Sequence, residues 1–285
     1  MNSAAHAGDW NFPDHTVHRI GLGAMRLTPD RAPTLLRRAR ELGVNHLDTA
    51  AFYGDPPGTV NALIRDHLAP YPDDLLLATK VWPARDRDGN WTWARPEQLR
   101  QQVEDNLRTL GRDHLDLVNL RLPPSHAESS LADHFGALAQ LRQAGLVRHL
   151  GLSHIRRHHL DEAQAIAPVV CVQNPYGIGA PTEERRLLQY CGGRDIAYVP
   201  YFSIAGDGRE KGALPPEGEH PEVLALAREL QVSTARLRVA WTLAQGSHVL
   251  AIPGTGNPEH LADNLAAGTL RLSPEQRSRL DALGA

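Results

Sequence analysis

Leu75-Leu76-Leu77-Ala78-Thr79-Lys80 is the stretch that decides how this chain of 285 residues is read. Four apolar residues in a row, with no alternation, describe a strand buried on both faces, and the run closes on a charge. Seven more strand-length runs occur, at 19–25, 46–50, 115–121, 147–153, 169–174, 196–202 and 249–254. Helix-period faces lie between them, in Leu35, Leu36, Ala39 and Leu42, in Leu99, Val103, Leu107 and Leu110, and in Leu131, Phe135, Leu138 and Leu141. Gly43, Gly111 and Gly145 follow these stripes as stop signals. Strands buried on both faces and joined through helices need right-handed crossovers, so the sheet is parallel. Eight such units predict a single-domain α/β fold, a closed (β/α)8 TIM barrel over residues 16–285. An open doubly wound sheet is rejected, because Gly21-Leu22-Gly23-Ala24-Met25 lacks the third glycine of a dinucleotide turn and the next helical face starts only near Pro33. Residues 1–15 read as a polar N-terminal segment for which disorder is the expectation.

The net charge of −3 gives no general attraction to nucleic acid or anionic lipid, and neither partner is expected. Cys171 and Cys191 lack Cys-x-x-Cys spacing and read as two reduced thiols. No stretch approaches eighteen apolar residues, and residues 1–12 show no basic segment followed by an apolar one, so a cytoplasmic location is expected. Among fifteen histidines, the adjacent His158 and His159 should point apart on a helix, and no i, i+4 pair has an acidic neighbour, so no metal is expected.

The strand ends carry the chemistry. Only Lys80 and Lys211 are lysines among thirty basic residues, and Lys80 closes a buried strand. Lysine is a point charge whose pKa moves on burial, which suits proton chemistry where arginine does not. Asp48 closes the neighbouring strand and Tyr53 follows it. In a barrel those ends lie side by side. The lysine cation would stabilise phenolate and bring Tyr53 below its usual pKa of about 10, while Asp48 keeps the lysine charged and oriented. Tyr53 then becomes a general acid. Two long loops, 81–96 and 203–220, follow strands on the face where barrel sites form. Ser273-Pro274-Glu275-Gln276 reads as a capping box opening a terminal helix that buries Leu280 and Leu283.

From about Arg19 to Leu283 the chain resembles an aldo-keto reductase. The resemblance rests on Gly21-Leu22-Gly23, Asp48-Thr49-Ala50 with Tyr53-Gly54, Thr79-Lys80, Leu115-Asp116-Leu117, Gly151-Leu152-Ser153, Gln173-Asn174-Pro175-Tyr176 and Ile252-Pro253-Gly254-Thr255. It implies an oxidoreductase that moves hydride from NADPH, with NADH as the alternative, to a small-molecule aldehyde or ketone while Tyr53 protonates the oxygen. It also implies a cofactor site in which Ser153, His154 and Gln173 hold the carboxamide and Tyr201 stacks on the nicotinamide. Gly23, Met25, Phe202 and Ser203 would line that site. Gly254 and Thr255 would turn the chain around the adenosine end, near Asn264, with His260 as the local basic residue and the start of a helix near Pro258 suited to phosphate. Arg209 and Lys211 would close over the pyrophosphate.

The chain departs from the family pattern at two places. Arg121 stands where the family usually has a histidine after its fourth strand. It cannot relay a proton, but it can donate hydrogen bonds to a developing alkoxide. Arginine there resembles a bacterial branch that includes pyridoxal reductase-like proteins. Ser153-His154 replaces the common Ser-Asn pair. Trp82, Trp91 and Trp93 in the third loop are expected to line a pocket suited to a flat ring, and a pyridoxal-like aldehyde is the leading substrate expectation. The long C-terminal loop of many animal family members does not follow the cofactor turn, so the pocket should be comparatively open; a monomer is the expected state. Two other readings stay open at this point, a biosynthetic tailoring reductase for a keto-sugar, imine or conjugated double bond, and a nicotinamide-binding regulatory subunit with little turnover.

Overall fold

The computed structural model describes residues 3–86, 88–204 and 219–284. In chain order its strands are β1 (Asp9–Asn11), β2 (Thr16–His18), β3 (Leu22–Gly23), β4 (His46–Asp48), β5 (Leu76–Val81), β6 (Pro83–Arg85), β7 (Trp91–Trp93), β8 (Leu115–Arg121), β9 (Val147–Ser153), β10 (Cys171–Gln173) and β11 (Ala197–Tyr198). The α-helices are α1 (Ala32–Glu41), α2 (Thr59–Leu68), α3 (Leu99–Leu110), α4 (Ala132–Gln143), α5 (Arg157–Gln164), α6 (Thr182–Gly192), α7 (Pro221–Glu229), α8 (Thr234–Leu243), α9 (Pro258–Ala266) and α10 (Pro274–Asp281). No helix among the described residues is long and apolar enough to cross a membrane.

All six residues of β5 are buried, as a strand with two covered faces must be. The parallel sheet runs β11-β10-β9-β8-β5-β4-β3. Residues 249–254 supply the remaining edge. Val249 bridges Tyr198 on one side, and Ala251 and Gly254 bridge Ile20 and Gly23 on the other, which closes the (β/α)8 barrel. Leu76, Ala78, Leu117, Cys171, Val199 and Ile252 fill its interior, while the helices bury Leu35, Val103, Phe135 and Leu160 against its outside. The helical stripes end as the sequence predicts. Gly111 closes α3 at φ 66°, a left-handed conformation that a side chain would strain.

The start of the chain differs from expectation. Residues Ala4–Ala7 form a 3-10 turn held by Ser3, and β1 and β2 pair as an antiparallel hairpin. Phe12 and Val17 of that hairpin join the barrel interior, and Asp14 at its tip meets His149 at 2.5 Å. The segment is therefore a plug for the barrel floor, not a disordered lead-in. Polar composition hid it because its buried residues, Ala4, Ala7, Phe12 and Val17, are scattered singly among polar ones. His158 and His159 also differ: their ring centroids are 3.9 Å apart, since His159 turns back to receive the Arg156 N–H instead of following the helix face.

Arg19 fastens the closure. Its guanidinium donates to the carbonyls of Ala7, Leu243, Gly246 and Val249 at 2.5–3.3 Å, tying the plug, the end of α8 and the eighth strand to the first. Replacing it removes one donor set and leaves several carbonyls unpaired. Arg19→Met is expected to lower unfolding stability by roughly 2 to 4 kcal/mol, read from the urea midpoint at unchanged slope.

Candidate active site

The register brings the predicted residues to one end of the barrel. Asp48 pairs with Ala78 across β4 and β5, so Lys80 projects one step further along the same interior face. Lys80 Nζ donates to Asp48 Oδ2 at 2.7 Å and to the Thr49 carbonyl at 2.9 Å. Gln173 Nε2 reaches across the barrel to donate to Asp48 Oδ1 at 2.8 Å. Both partners of the ion pair are buried. Asp48 and Tyr53 oppose the penalty that burial places on the Lys80 cation, and its pKa lies above the ordinary value.

Tyr53 follows β4 on a turn closed by its own N–H to the Ala50 carbonyl, and its ring centroid is 5.0 Å from Lys80 Nζ. The expected lowering of its pKa is not what the structure gives. Burial pushes the phenol above its ordinary value of 10.0, Lys80 and Arg121 pull it back in part, and Asp48 adds to the rise. The sequence showed the neighbouring charges but not the depth of the site. Protonated Tyr53 is thus the stable form through neutral pH.

Beside this group lies a second set of aligned residues. Arg121, Ser153 and Gln173 are register partners on β8, β9 and β10. Ser153 Oγ and Gln173 Oε1 are buried and have no hydrogen-bond partner among the described residues. One level deeper, Lys80, Asn119, Gly151 and Cys171 are register partners. A Cβ on Gly151 would stand 2.1 Å from Asn119 Oδ1, so the glycine makes room for that amide. Asn119 was not among the sequence candidates. A polar residue inside the apolar run Leu117–Leu120 was the signal for it.

Tyr201 and His154 lie on the rim. The Tyr201 hydroxyl meets His154 Nδ1 at 3.0 Å, and the Arg121 guanidinium carbon is 5.0 Å from the Tyr201 ring centroid. His154 and Phe202 have positive φ, 59° and 62°, which turns each residue sharply at its strand end. Gly23, Met25, Asp48, Tyr53, Lys80 and Arg121 line a single cleft together with Gln173, Tyr201, Phe202, Ser203 and Gly254.

At the edge of this cleft, Gly23 bridges Gly254, and a Cβ on Gly23 would stand 2.7 Å from the Ile252 carbonyl. Thr255 Oγ1 accepts from the Asn257 N–H at 3.0 Å, and Asn257 caps α9 by accepting from Glu259 N–H at 2.8 Å. Asn264 is buried on α9 and His260 is exposed. The structure adds a cation that was missed: Arg31, just before α1, packs on Gly256, where a Cβ would stand 2.9 Å from its Nη1. It lies 225 positions away in sequence, and no local spacing could have pointed to it. Arg209 and Lys211 lie outside the described residues.

The tryptophans separate. Trp91 on β7 lines a second cavity beside Tyr53, with its ring 5.3 Å from that of Phe52. Trp93 stacks outside Trp91 at 6.2 Å and lines neither cavity. Trp82 is a correction. At φ 95° it turns away from the cleft, is 1% exposed, and stacks on His134 of α4 at 3.8 Å while Gln102 binds its backbone. Within the long third loop β6 and β7 form a hairpin, with Arg85 opposite Trp91. Among the described residues no group of three or more His, Cys, Asp or Glu is disposed to hold a metal.

The model of the aldo/keto reductase family matches residues 19–285. The chain belongs to that family. It is 39% identical to a pyridoxine 4-dehydrogenase of Escherichia coli over 94% of this chain and 95% of the relative. Its fold overlays that of the thermostable aldo-keto reductase Tm1743, bound to the inhibitor epalrestat, with TM-score 0.79 and 29% identity, covering 95% and 97% of the two chains. An aldo-keto reductase of Klebsiella pneumoniae, in complex with NADPH, matches with TM-score 0.77 and 24% identity over 94% and 91%. The aldo/keto reductase reading of the sequence therefore holds, and the chain is an oxidoreductase of this family.

Because Trp82 packs behind the barrel wall, Trp82→Phe should cost about 1 to 3 kcal/mol of stability without changing KM for any ring substrate. Thermal denaturation and steady-state kinetics on the same preparation check both halves.

Proposed function

We propose that the protein reduces a ring aldehyde, pyridoxal-like in shape, to the alcohol, using NADPH. The observation that carries this reading is the convergence of Tyr53, the buried Lys80–Asp48 pair and Arg121 on a single cleft. The similarity to a pyridoxine 4-dehydrogenase supports the substrate class, and the NADPH complex of the Klebsiella relative supports the cofactor.

The residues fit a nicotinamide. Ser153 Oγ and Gln173 Oε1, on register partners, are buried polar atoms without a hydrogen-bond partner among the described residues, suited to a carboxamide. The close Gly23–Gly254 approach leaves backbone where side chains would intrude. Gly23, Met25, Phe202 and Ser203 complete the walls, with Tyr201 as the flat partner of the ring and His154 fixing the Tyr201 hydroxyl. Thr255, His260 and Asn264 serve the adenosine end. The reduced nicotinamide, when bound, supplies hydride to the carbonyl carbon.

Tyr53 donates its hydroxyl proton to the carbonyl oxygen as negative charge develops there. The phenolate left behind is stabilised by Lys80, whose charge is kept in place by Asp48 and the Thr49 carbonyl. Arg121 donates to the same oxygen from the other side and lends a fixed cation. Trp91 and Phe52 provide a wall for the substrate ring.

Tyr53→Phe should reduce kcat by at least about 100-fold while cofactor affinity, read by fluorescence, holds. Turnover undiminished in that variant would contradict the reading. The wild-type reduction rate should be flat through neutrality and fall only as pH rises past 10, because the acid is the protonated phenol and its pKa is raised. Arg31 packs on the Gly256 turn and suits the 2′-phosphate of NADPH. Arg31→Ala should weaken binding of 2′,5′-ADP about tenfold and leave that of 5′-AMP, measured calorimetrically.

A further inference from the structure

We propose that Asn174, oriented by Glu184, is the positioning residue of the nicotinamide site and holds His154, Gln173 and Tyr201 in one arrangement from behind the cleft wall. The proposal rests on the reading of those three residues, with Ser153, as the nicotinamide pocket. Asn174 is buried and does not itself line the cleft. It follows Gln173 at the end of β10, and Pro175, next in the chain, has no N–H to carry the ladder with β9 further. The Asn174 side chain takes over that pairing. Its Oδ1 accepts the Ile155 N–H at 3.0 Å and its Nδ2 donates to the Ile155 carbonyl at 2.7 Å, so one amide grips both backbone groups of the residue after His154. The His154 N–H donates to the Gln173 carbonyl at 3.0 Å. His154 is thus fixed from both sides in a left-handed conformation, φ 59°, that is uncommon for a residue with a side chain. The Asn174 carbonyl accepts the Tyr201 N–H at 3.1 Å. One residue therefore joins the three chain segments that present the pocket.

Glu184, on α6, decides which way the amide points. Asn174 Nδ2 lies 3.2 and 3.1 Å from its two carboxylate oxygens, and one of these also accepts the Tyr198 hydroxyl at 2.8 Å. A carboxylate only accepts, so the amide nitrogen must face Glu184 and the amide oxygen must face the Ile155 N–H. A flipped amide would set donor against donor at the Ile155 N–H and acceptor against acceptor at Glu184. Both N–H groups of Asn174 are used in this arrangement, which makes it rigid once formed and costly to break. The adenosine end of the pocket stands apart, because Thr255 and Asn264 belong to α9 and the turn before it. Loss of the clamp therefore loosens the nicotinamide end and leaves the adenosine end as it was.

The test measures binding of NADPH and of 2′,5′-ADP, which lacks the nicotinamide half, by calorimetry in the wild type, Asn174→Ala, Glu184→Ala, Glu184→Gln and Ser153→Ala, with thermal unfolding followed on each. In Asn174→Ala, NADPH should bind about tenfold more weakly while 2′,5′-ADP binds as in the wild type. Glu184→Ala should show a smaller loss of the same kind. Glu184→Gln, whose amide oxygen can still accept from Asn174 and Tyr198, should restore it. A merely structural role would weaken both ligands together. Equal weakening of the two, or undiminished NADPH binding in a folded Asn174→Ala while Ser153→Ala lowers it, overturns the proposal. If Ser153→Ala and Asn174→Ala both leave NADPH binding unchanged, the nicotinamide reading of the pocket fails and takes the clamp with it. Should Asn174→Ala not fold, the Glu184 variants decide: a loss confined to NADPH in Glu184→Ala that Glu184→Gln reverses supports the clamp, and any other pattern overturns it.

Discussion

The buried ion pair between Lys80 and Asp48 is the constraint on which the rest of this site depends. Removing two charges from water costs several kcal/mol each, and only good geometry with every remaining donor and acceptor satisfied recovers that cost. Here the Thr49 carbonyl and the Gln173 amide complete the set. The pair therefore ties β4, β5 and β10 together across the barrel interior, and it puts a permanent cation beneath Tyr53. Stability and chemistry share the same atoms. A variant that deletes one partner strands the other in a low-dielectric interior, so loss of activity and loss of fold will tend to appear together.

The outer layers serve this arrangement. Thr49 accepts Lys80 through its carbonyl, and its hydroxyl is fixed by Asn61, which binds Asn106, which in turn accepts from Thr79 at the end of β5. This chain of buried hydrogen bonds runs from α2 and α3 to both strands that carry the ion pair. Polar networks of this kind are costly when broken and rigid when complete. Burial at the site raises the Tyr53 pKa, so in the proposed reaction Lys80 acts less by creating phenolate at rest than by lowering its energy when the proton leaves.

How much of this could be read from sequence depends on the range of each interaction. The barrel was legible because β5 and β8 are continuous apolar runs and because Gly111 stops a helix where the pattern ends. Asp48, Tyr53, Lys80 and Gln173 were legible because each closes or follows such a run. Features set by distant partners were not. Trp82 follows a strand on the functional face, and only its positive φ, invisible in sequence, sends the ring behind the wall to His134. Phe12 and Val17 are isolated apolar residues in a polar segment, and their burial depends on a barrel floor built by other parts of the chain. Arg31 reaches Gly256 through closure of the barrel. The hairpin that fixes Arg85 opposite Trp91 was hidden because its strands are three residues each, too short for alternation to register.

The central claim is that Lys80 stabilises the Tyr53 phenolate from within a buried site. The measurement that tests it most directly is a carbon NMR titration of ring-labelled tyrosine, with Tyr53 assigned by its Phe variant, in the wild type and in Lys80→Met. The account predicts that Tyr53 ionises above 10 in the wild type and higher still in Lys80→Met, because the variant keeps the burial and loses the cation. A Tyr53 titration that is the same in both folded proteins, or lower in Lys80→Met, would contradict it.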